Sequence, residues 1–292
     1  MGIISGHERS VFMQSAYVID PNFNYEQTVK SILSIRYATD GFSFCVHDEQ
    51  DKLVVFAHQA CSIDLSDKSM LQVKNYMASD PWLQQAYQRV YLMACSQDKN
   101  LIPASFVHEE VLPYLYSFSQ EIGQEDRMLH HALVRIDACL LEAFPAEFLQ
   151  FLWEKYPGAH VINGAYPFIY RASSKMLYHT DQLFVDLQQQ YFDVLLLRNA
   201  RLQLFSTFNY QTASDVTYYI LKCLKECAVE REKISVVVSG LTAKSSKLKE
   251  SLASYLPDLH DLQEQSLQLF LKDKQFDTAP FIHLLNLHRC GL

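Results

Sequence analysis

Leu183 to Phe208 reads LFVDLQQQYFDVLLLRNARLQLFSTF, and the fold is decided by how this stretch divides. Leu183 to Gln188, Phe192 to Arg198 and Arg201 to Phe208 are each rich in Val, Leu, Phe and Tyr. Polar joints at Gln189–Gln190 and Asn199–Ala200 separate them, so the stretch predicts three strands in a meander. Upstream, ILSIRYATDGFSFCVHDEQDKLVVFAHQ from Ile32 divides the same way. Ser31 to Arg36, Phe42 to His47 and Leu53 to His58 are the strands. Thr39-Asp40-Gly41 and residues 48–52 are the turns.

The elements after each meander also match. Asp64 to Met77 carries Met70, Val73 and Met77 at helical spacing, with Ser66 as a candidate cap, and the apolar strand VYLMAC begins at Val90. In the later copy Ser214 to Val229 is the helix, capped by Ser214, and ISVVVSG from Ile234 is the strand. Continuous apolar character marks both strands as buried on two faces. Helices are predicted again at Pro145 to Tyr156 and Ser245 to Tyr255, while Leu267 to Leu271 is a short element of ambiguous type. The first copy alone adds an edge piece at Leu101 to Phe106, a helix near Pro113 and a hairpin turning at Ile136-Asp137. Three antiparallel strands followed by alternating helix and strand give an α/β protein with a mixed β-sheet and flanking helices, in two copies. The expected division is residues 1–174 and 175–292.

This order of elements resembles the duplicated ribonuclease-H-like fold of the actin-like ATPase superfamily. More narrowly, the chain is similar to an uncharacterised bacterial family, a domain of unknown function with an actin-like ATPase fold. The nearest functionally understood architecture it resembles is that of pilus-assembly and secretion proteins, which include nucleotide-binding scaffolds. The resemblance implies a phosphate site at the first strand turn of each half, built on an Asp-x-Gly sequence, and an adenosine site where a buried strand ends in Gly-Gly. Ser34-Ile35-Arg36-Tyr37 has neither the acid nor the glycine. Asp186-Leu187-Gln188 keeps the acid and replaces the glycine, and Val236-Val237-Val238-Ser239-Gly240 keeps one glycine of two. Glycine lets backbone N–H groups approach phosphate closely, and a long side chain obstructs that approach. Asp186, Gln188, Ser239 and Gly240 are therefore the candidates for a degenerate nucleotide site. The plainer readings are a solvated turn acid for Asp186 and an ordinary strand-to-helix glycine for Gly240. No cofactor is expected, with ATP and Mg²⁺ as the alternative. Catalytic turnover is not expected, and a protein or peptide partner in the cleft between the halves is.

Composition narrows the field. With 292 residues, 49% apolar and 20% charged, the chain has enough material for two cores. A net charge of −8 argues against a nucleic-acid surface, the densest basic stretch being Lys244 to Lys249. A ribonuclease-H-type nuclease would need clustered carboxylates, and the strands offer Asp186 and Asp193 alone. Seven scattered cysteines without a CxxC pair read as reduced thiols, hence a cytoplasmic location. No signal-like segment opens the sequence and no apolar run is long enough to insert into a membrane. His283 and His288 lie five apart, which is not a ligand spacing, and Cys223 with Cys227 reads as core. Tyr114, Tyr116 and Phe118 are either core or the lining of a partner groove.

Overall fold

The computed structural model describes residues 15–63, 70–240, 246–262 and 279–291. Ser66, the first two residues of the basic stretch and the element expected at 267–271 lie outside the described residues.

Strand β1 (Ala16–Ile19) precedes the first meander, β2 (Ile32–Ala38), β3 (Gly41–His47) and β4 (Leu53–Ala60), after which come helix α1 (Leu71–Ser79) and β5 (Arg89–Ala94). A separate unit comes next: β6 (Asn100–Pro103), α2 (Leu112–Ser117), β7 (Asp126–Leu133) and β8 (Ala138–Pro145). The chain then returns through α3 (Ala146–Lys155), β9 (His160–Asn163) and α4 (Ala165–Ser174). The second meander is β10 (Asp181–Leu187), β11 (Tyr191–Arg198) and β12 (Arg201–Asn209). It leads to α5 (Ala213–Glu226), β13 (Ser235–Gly240), α6 (Ser246–Ala253), β14 (Leu259–Asp261) and the short α7 (Ile282–Leu285).

Sheet order establishes the duplication. The first sheet runs β1-β4-β3-β2-β5-β9 and the second β12-β11-β10-β13-β14. Without the edge strand β1 the two orders are the same, third strand to fifth with the first in the centre. In both, the meander is antiparallel and the strands beyond its first member are parallel to it, β2 to β5 to β9 and β10 to β13 to β14. A helical crossover makes a parallel pairing possible, so this is the topology that the helix-then-strand order demands. The third sheet, β6-β8-β7, belongs to the inserted unit, and Pro103, lacking an N–H, closes the edge strand β6. The Asn199–Ala200 joint is a two-residue turn with both residues left-handed (φ 51° and 60°), the backbone that matches strand twist.

Period-two alternation sorts the side chains into three layers. Leu33, Ile35 and Tyr37 point outward and pack with Val73 and Met77 of α1 and Phe148, Leu149 and Leu152 of α3. Leu183, Val185 and Leu187 do the same under Val216, Ile220 and Leu224 of α5 and Leu252 of α6. The inner faces share one core with α4 and the C-terminal segment: Phe56, Tyr91 and Met93 meet Phe168, Ile169, Phe184, Leu195, Phe281 and Leu284. Burying an aromatic or leucine side chain contributes about 1.5–3 kcal/mol, so this middle layer is a substantial adhesive. Helix α5 is capped by Thr212 rather than by the expected Ser214. Thr212 accepts the Asp215 N–H and Asp215 reaches back to the Thr212 N–H, a reciprocal cap that Ser214 cannot make.

Residues 279–291 bridge the sheets, their start packing on β13 of the second and the remainder on β2 and β3 of the first. Asp51, in the β3–β4 turn, takes His288 Nε2 at 2.5 Å and Arg289 Nη2 at 2.6 Å. The His288 ring lies 3.9 Å from that of the buried His47. All seven cysteines are free thiols, five of them buried. Among the described residues no helix is long and apolar enough to cross a membrane.

Gly240 has a φ of +93°, and a Cβ there would lie 2.1 Å from the Leu187 carbonyl oxygen of the neighbouring strand. Gly240→Ala is expected to cost about 3 kcal/mol, combining backbone strain with overpacking, and urea unfolding measures it. A loss under about 1 kcal/mol would contradict so close a strand contact. Burial, with the charge of His288 next in order, lowers the His47 pKa to about 3. The unfolded chain protonates this ring near pH 6.5 and the folded chain does not, so its contribution to stability is present above that pH and is lost on acidification. Between pH 7 and pH 5 the loss from His47 is about 2 kcal/mol, which His47→Asn removes from the pH profile.

Candidate functional site

Strands β2 and β10 are the central strands of their sheets, and their alternation turns Ser34 and Arg36, like Phe184 and Asp186, away from the outer helices and toward each other's half. Arg36 is 2% exposed and Asp186 is 2% exposed. A buried charge must find partners, and both do. Arg36 Nη2 donates to Asp40 Oδ1 at 2.9 Å and reaches within 3.5 Å of Gln188 Oε1. Gln188 Nε2 donates to Asp186 Oδ2 at 2.6 Å. The other carboxylate oxygen, Oδ1, accepts from Ser239 Oγ at 2.6 Å and from His283 Nε2 at 2.8 Å. One polar chain thus runs from the first turn of the first half, through the first turn of the second, to α7.

The turn that carries Gln188 is itself fixed. Its N–H donates to the Tyr191 carbonyl at 2.8 Å, and its own carbonyl accepts from Tyr210 Oη at 2.6 Å. Burial alone would raise the Asp186 carboxyl. The charge of His283 and the hydrogen bonds from His283, Ser239 and Gln188 outweigh it and hold the group below the usual carboxylate range. Burial would likewise lower the Arg36 guanidinium, and Asp40 together with Cys95 and Tyr191 more than reverses that. Arg36 also lies over the Phe281 ring, 5.7 Å from its centroid, so the C-terminal segment touches both ends of the polar chain.

A second buried pair crosses the halves nearby. Lys99 Nζ, in the loop after β5, lies 3.0 Å from Asp193 Oδ1 on β11, with both side chains almost wholly buried. Thr207 Oγ1 donates to the same carboxylate at 2.6 Å, and the Ser96 carbonyl takes a further proton of Lys99 at 2.9 Å. Burial raises the Asp193 carboxyl despite Lys99. Asp193 stands directly opposite Asp186 in the β10–β11 register. Each of these two acids has its own basic partner, and among the described residues no group of three or more metal-ligating side chains occurs.

The candidate residues have specific places in this network. Asp186, for which the plainer reading is a solvated turn acid, is a buried strand residue, because β10 extends to Leu187 and the turn begins one residue later. Gln188 and Ser239 join it, while Gly240 lies beyond them with its backbone against Leu187. In the first half, Ser34 to Tyr37 lies within β2 and is not a turn. The turn of β2 and β3 is Thr39-Asp40-Gly41, which has both an acid and a glycine. Asp40 serves Arg36, and a Cβ on Gly41 would meet the Gln59 carbonyl at 2.2 Å, so strand contact demands that glycine. His283, Asp40 and Lys99 join the site without a local sequence pattern that marks them, since the helical spacing of His283 bears only on metal ligation. The isolated acid of β10 and the lone histidine of FIHLL are the available signal, with nothing local to join them.

The residues as placed do not fit a magnesium–phosphate group. Both oxygens of Asp186 are committed, the Gln188 side chain lies against them, and Nη2 of Arg36 is paired with Asp40, its Nη1 being buried without a hydrogen-bond partner. Phosphate turns depend on open backbone N–H groups, and the Gln188 N–H is used within its own turn.

Comparison with known proteins agrees with the architecture. A protein of Bacteroides thetaiotaomicron VPI-5482, with an actin-like ATPase fold and unknown function, superimposes with a TM-score of 0.73 at 21% identity, covering 86% of this chain and 98% of its own. PilM in the PilM–PilN type IV pilus biogenesis complex gives 0.57 at 12% identity, covering 88% and 97%. The ethanolamine utilization protein EutJ from Carboxydothermus hydrogenoformans gives 0.50 at 9%, covering 92% of each chain. At these identities the likeness is one of fold. No curated protein matches the sequence. Residues 20–259 match the family model described as protein of unknown function DUF3822, and the chain is a member of that family, with an actin-like ATPase fold.

Proposed function

We propose that this chain is a non-catalytic actin-like-fold protein that works as a scaffold, holding a protein or peptide partner. The observation that carries the reading is the polar chain Asp40–Arg36–Gln188–Asp186–His283, which puts the protein's own side chains at the two turns where the fold would place phosphate. In this reading residues 1–174 and 175–292 are the two arms of the scaffold, tied together by α7 and by Lys99–Asp193. The PilM–PilN complex supports it by analogy of fold, since there a protein of this architecture assembles with another protein. Free thiols are consistent with a cytoplasmic setting.

The competing assignment makes Asp186 a metal-linked acid and Ser239–Gly240 the nucleoside side of an ATP site. The two assignments differ in what ATP does to stability. A ligand that binds only the native state raises its stability by about 2.7 kcal/mol at a hundred times Kd. Millimolar ATP with Mg²⁺ is expected to leave the melting temperature unchanged, and a saturable rise overturns the scaffold reading.

They differ again in the effect of substitution. Asp186→Ala leaves the buried His283 and Ser239 and the half-buried Gln188 without their common acceptor and is expected to cost about 3–5 kcal/mol in chemical denaturation. A metal-linked acid held in a site for catalysis would be lost with little or no penalty. Asp186 also gives a sign. Its folded pKa lies below the unfolded value of about 3.9, so its stabilisation is complete above that pH and declines as the pH falls through the lower folded value. The variant should lose that acid limb.

A further inference from the structure

Beside the loop that carries Lys99, a cavity of about 560 Å³ opens between the ends of β2, β5 and β9 and the inserted β6-β8-β7 unit. Among the described residues its lining contains four carboxylates, Asp98, Glu121, Asp126 and Glu142, and no Lys, Arg or His. Acidic residues at a surface are ordinarily solvated and mean little. Glu142 is different. It stands on β8 with 1% of its surface exposed, and His131 Nε2 meets one carboxylate oxygen at 3.0 Å. The other oxygen, Oε2, is buried without a hydrogen-bond partner. Burial raises the Glu142 carboxyl above its ordinary range, with His131, the Asn163 backbone N–H and the charge of Lys99 only partly offsetting it. Leaving a carboxylate oxygen unmatched in a protein interior is costly, so the cavity wall is electrostatically incomplete as it stands.

The remaining walls favour an aliphatic stem. Tyr37 and Met70 line the cavity, their side chains joined at 3.4 Å, and Phe118 lies at its mouth, 85% exposed. Tyr114, on helix α2, is 72% exposed, whereas Tyr116 between the two is core and donates to the Asp98 carbonyl at 3.0 Å. The uncovered Phe118 ring at an acidic cavity gives an arriving chain segment apolar purchase beside a charged anchor.

We propose that this cavity receives a lysine or arginine side chain of a protein partner, its cation paired with Glu142 and its stem against Tyr37 and Met70. The inference deepens the scaffold reading and rests on it. It also moves the partner's anchor from the cleft between the halves to the junction of the first sheet with the inserted unit.

Isothermal titration of the full chain with N-acetyl-arginine amide and N-acetyl-lysine amide tests it. N-acetyl-norleucine amide is the uncharged control and cadaverine represents a free diamine. At least one blocked basic residue is expected to bind at least about tenfold more tightly than the norleucine derivative. Glu142→Gln should weaken that binding about tenfold or more. Asp98→Asn, at an exposed position where folding is not at stake, should weaken it less, and salt should diminish the difference. Absence of binding, equal binding of the norleucine derivative, or affinity unchanged in both variants overturns the proposal. Binding of cadaverine with both blocked residues silent overturns the assignment to a partner's side chain. Small cations report on the cavity alone, and the nucleotide titration reports on the scaffold reading alone, so either can fail without the other.

Discussion

Asp186 and Asp193 are two carboxylates placed opposite each other on neighbouring strands, deep in the protein, and the sheet that carries them gives each a hydroxyl donor but takes each one's basic partner from elsewhere. Two like charges in a poorly polarisable interior repel, and each is also stripped of water. The second sheet resolves this by borrowing. Asp193 takes Lys99 from the first half, and Asp186 takes His283 from a segment that lies against the first half's strands. Electrostatic necessity therefore fixes how the two sheets face one another, while the shared apolar layer around Phe56, Phe184 and Phe281 supplies most of the adhesion. Either sheet without the other would expose that layer and strand its own charges.

The same constraint explains what the sequence disclosed and what it concealed. Strand alternation, turn chemistry and helix periodicity act over a few residues, so both meanders, α3, the β7–β8 hairpin and the parallel strands β5 and β13 were legible. Even there the ends moved where capping depends on one side chain rather than another, as at Thr212. The site is held by longer bonds. Asp186 reaches Ser239 across 53 residues and His283 across 97, and Arg36 reaches Gln188 across 152. No local pattern encodes such pairs. A buried acid and a solvated turn acid look alike in LFVDLQQQ, because the distinction lies in whether β10 ends before or after Asp186.

The two copies have diverged in a physically directed way. Each keeps the strand order and a glycine that permits close strand approach, Gly41 in one and Gly240 in the other. What differs is the cargo of the inner face, cationic at Arg36 in the first copy and acidic at Asp186 in the second. A duplicated unit whose copies carry opposite charge at corresponding places is complementary to itself. The inserted β6-β8-β7 unit has no such counterpart among the described residues, and it brings the acidic cavity with it.

The C-terminal segment has a consequence for the making of the protein. His288 and Arg289 bind Asp51 across 237 and 238 residues, and Phe281 covers the inner side of β4 at Phe56 and His58. The first sheet is synthesised early, yet the residues that cover its inner side leave the ribosome long afterwards. Contacts of this separation form late because a long loop must close first. Through most of translation the nascent chain therefore carries a sheet with one oily side open to water, and it is in that interval, rather than in the finished molecule, that the chain is most exposed to aggregation.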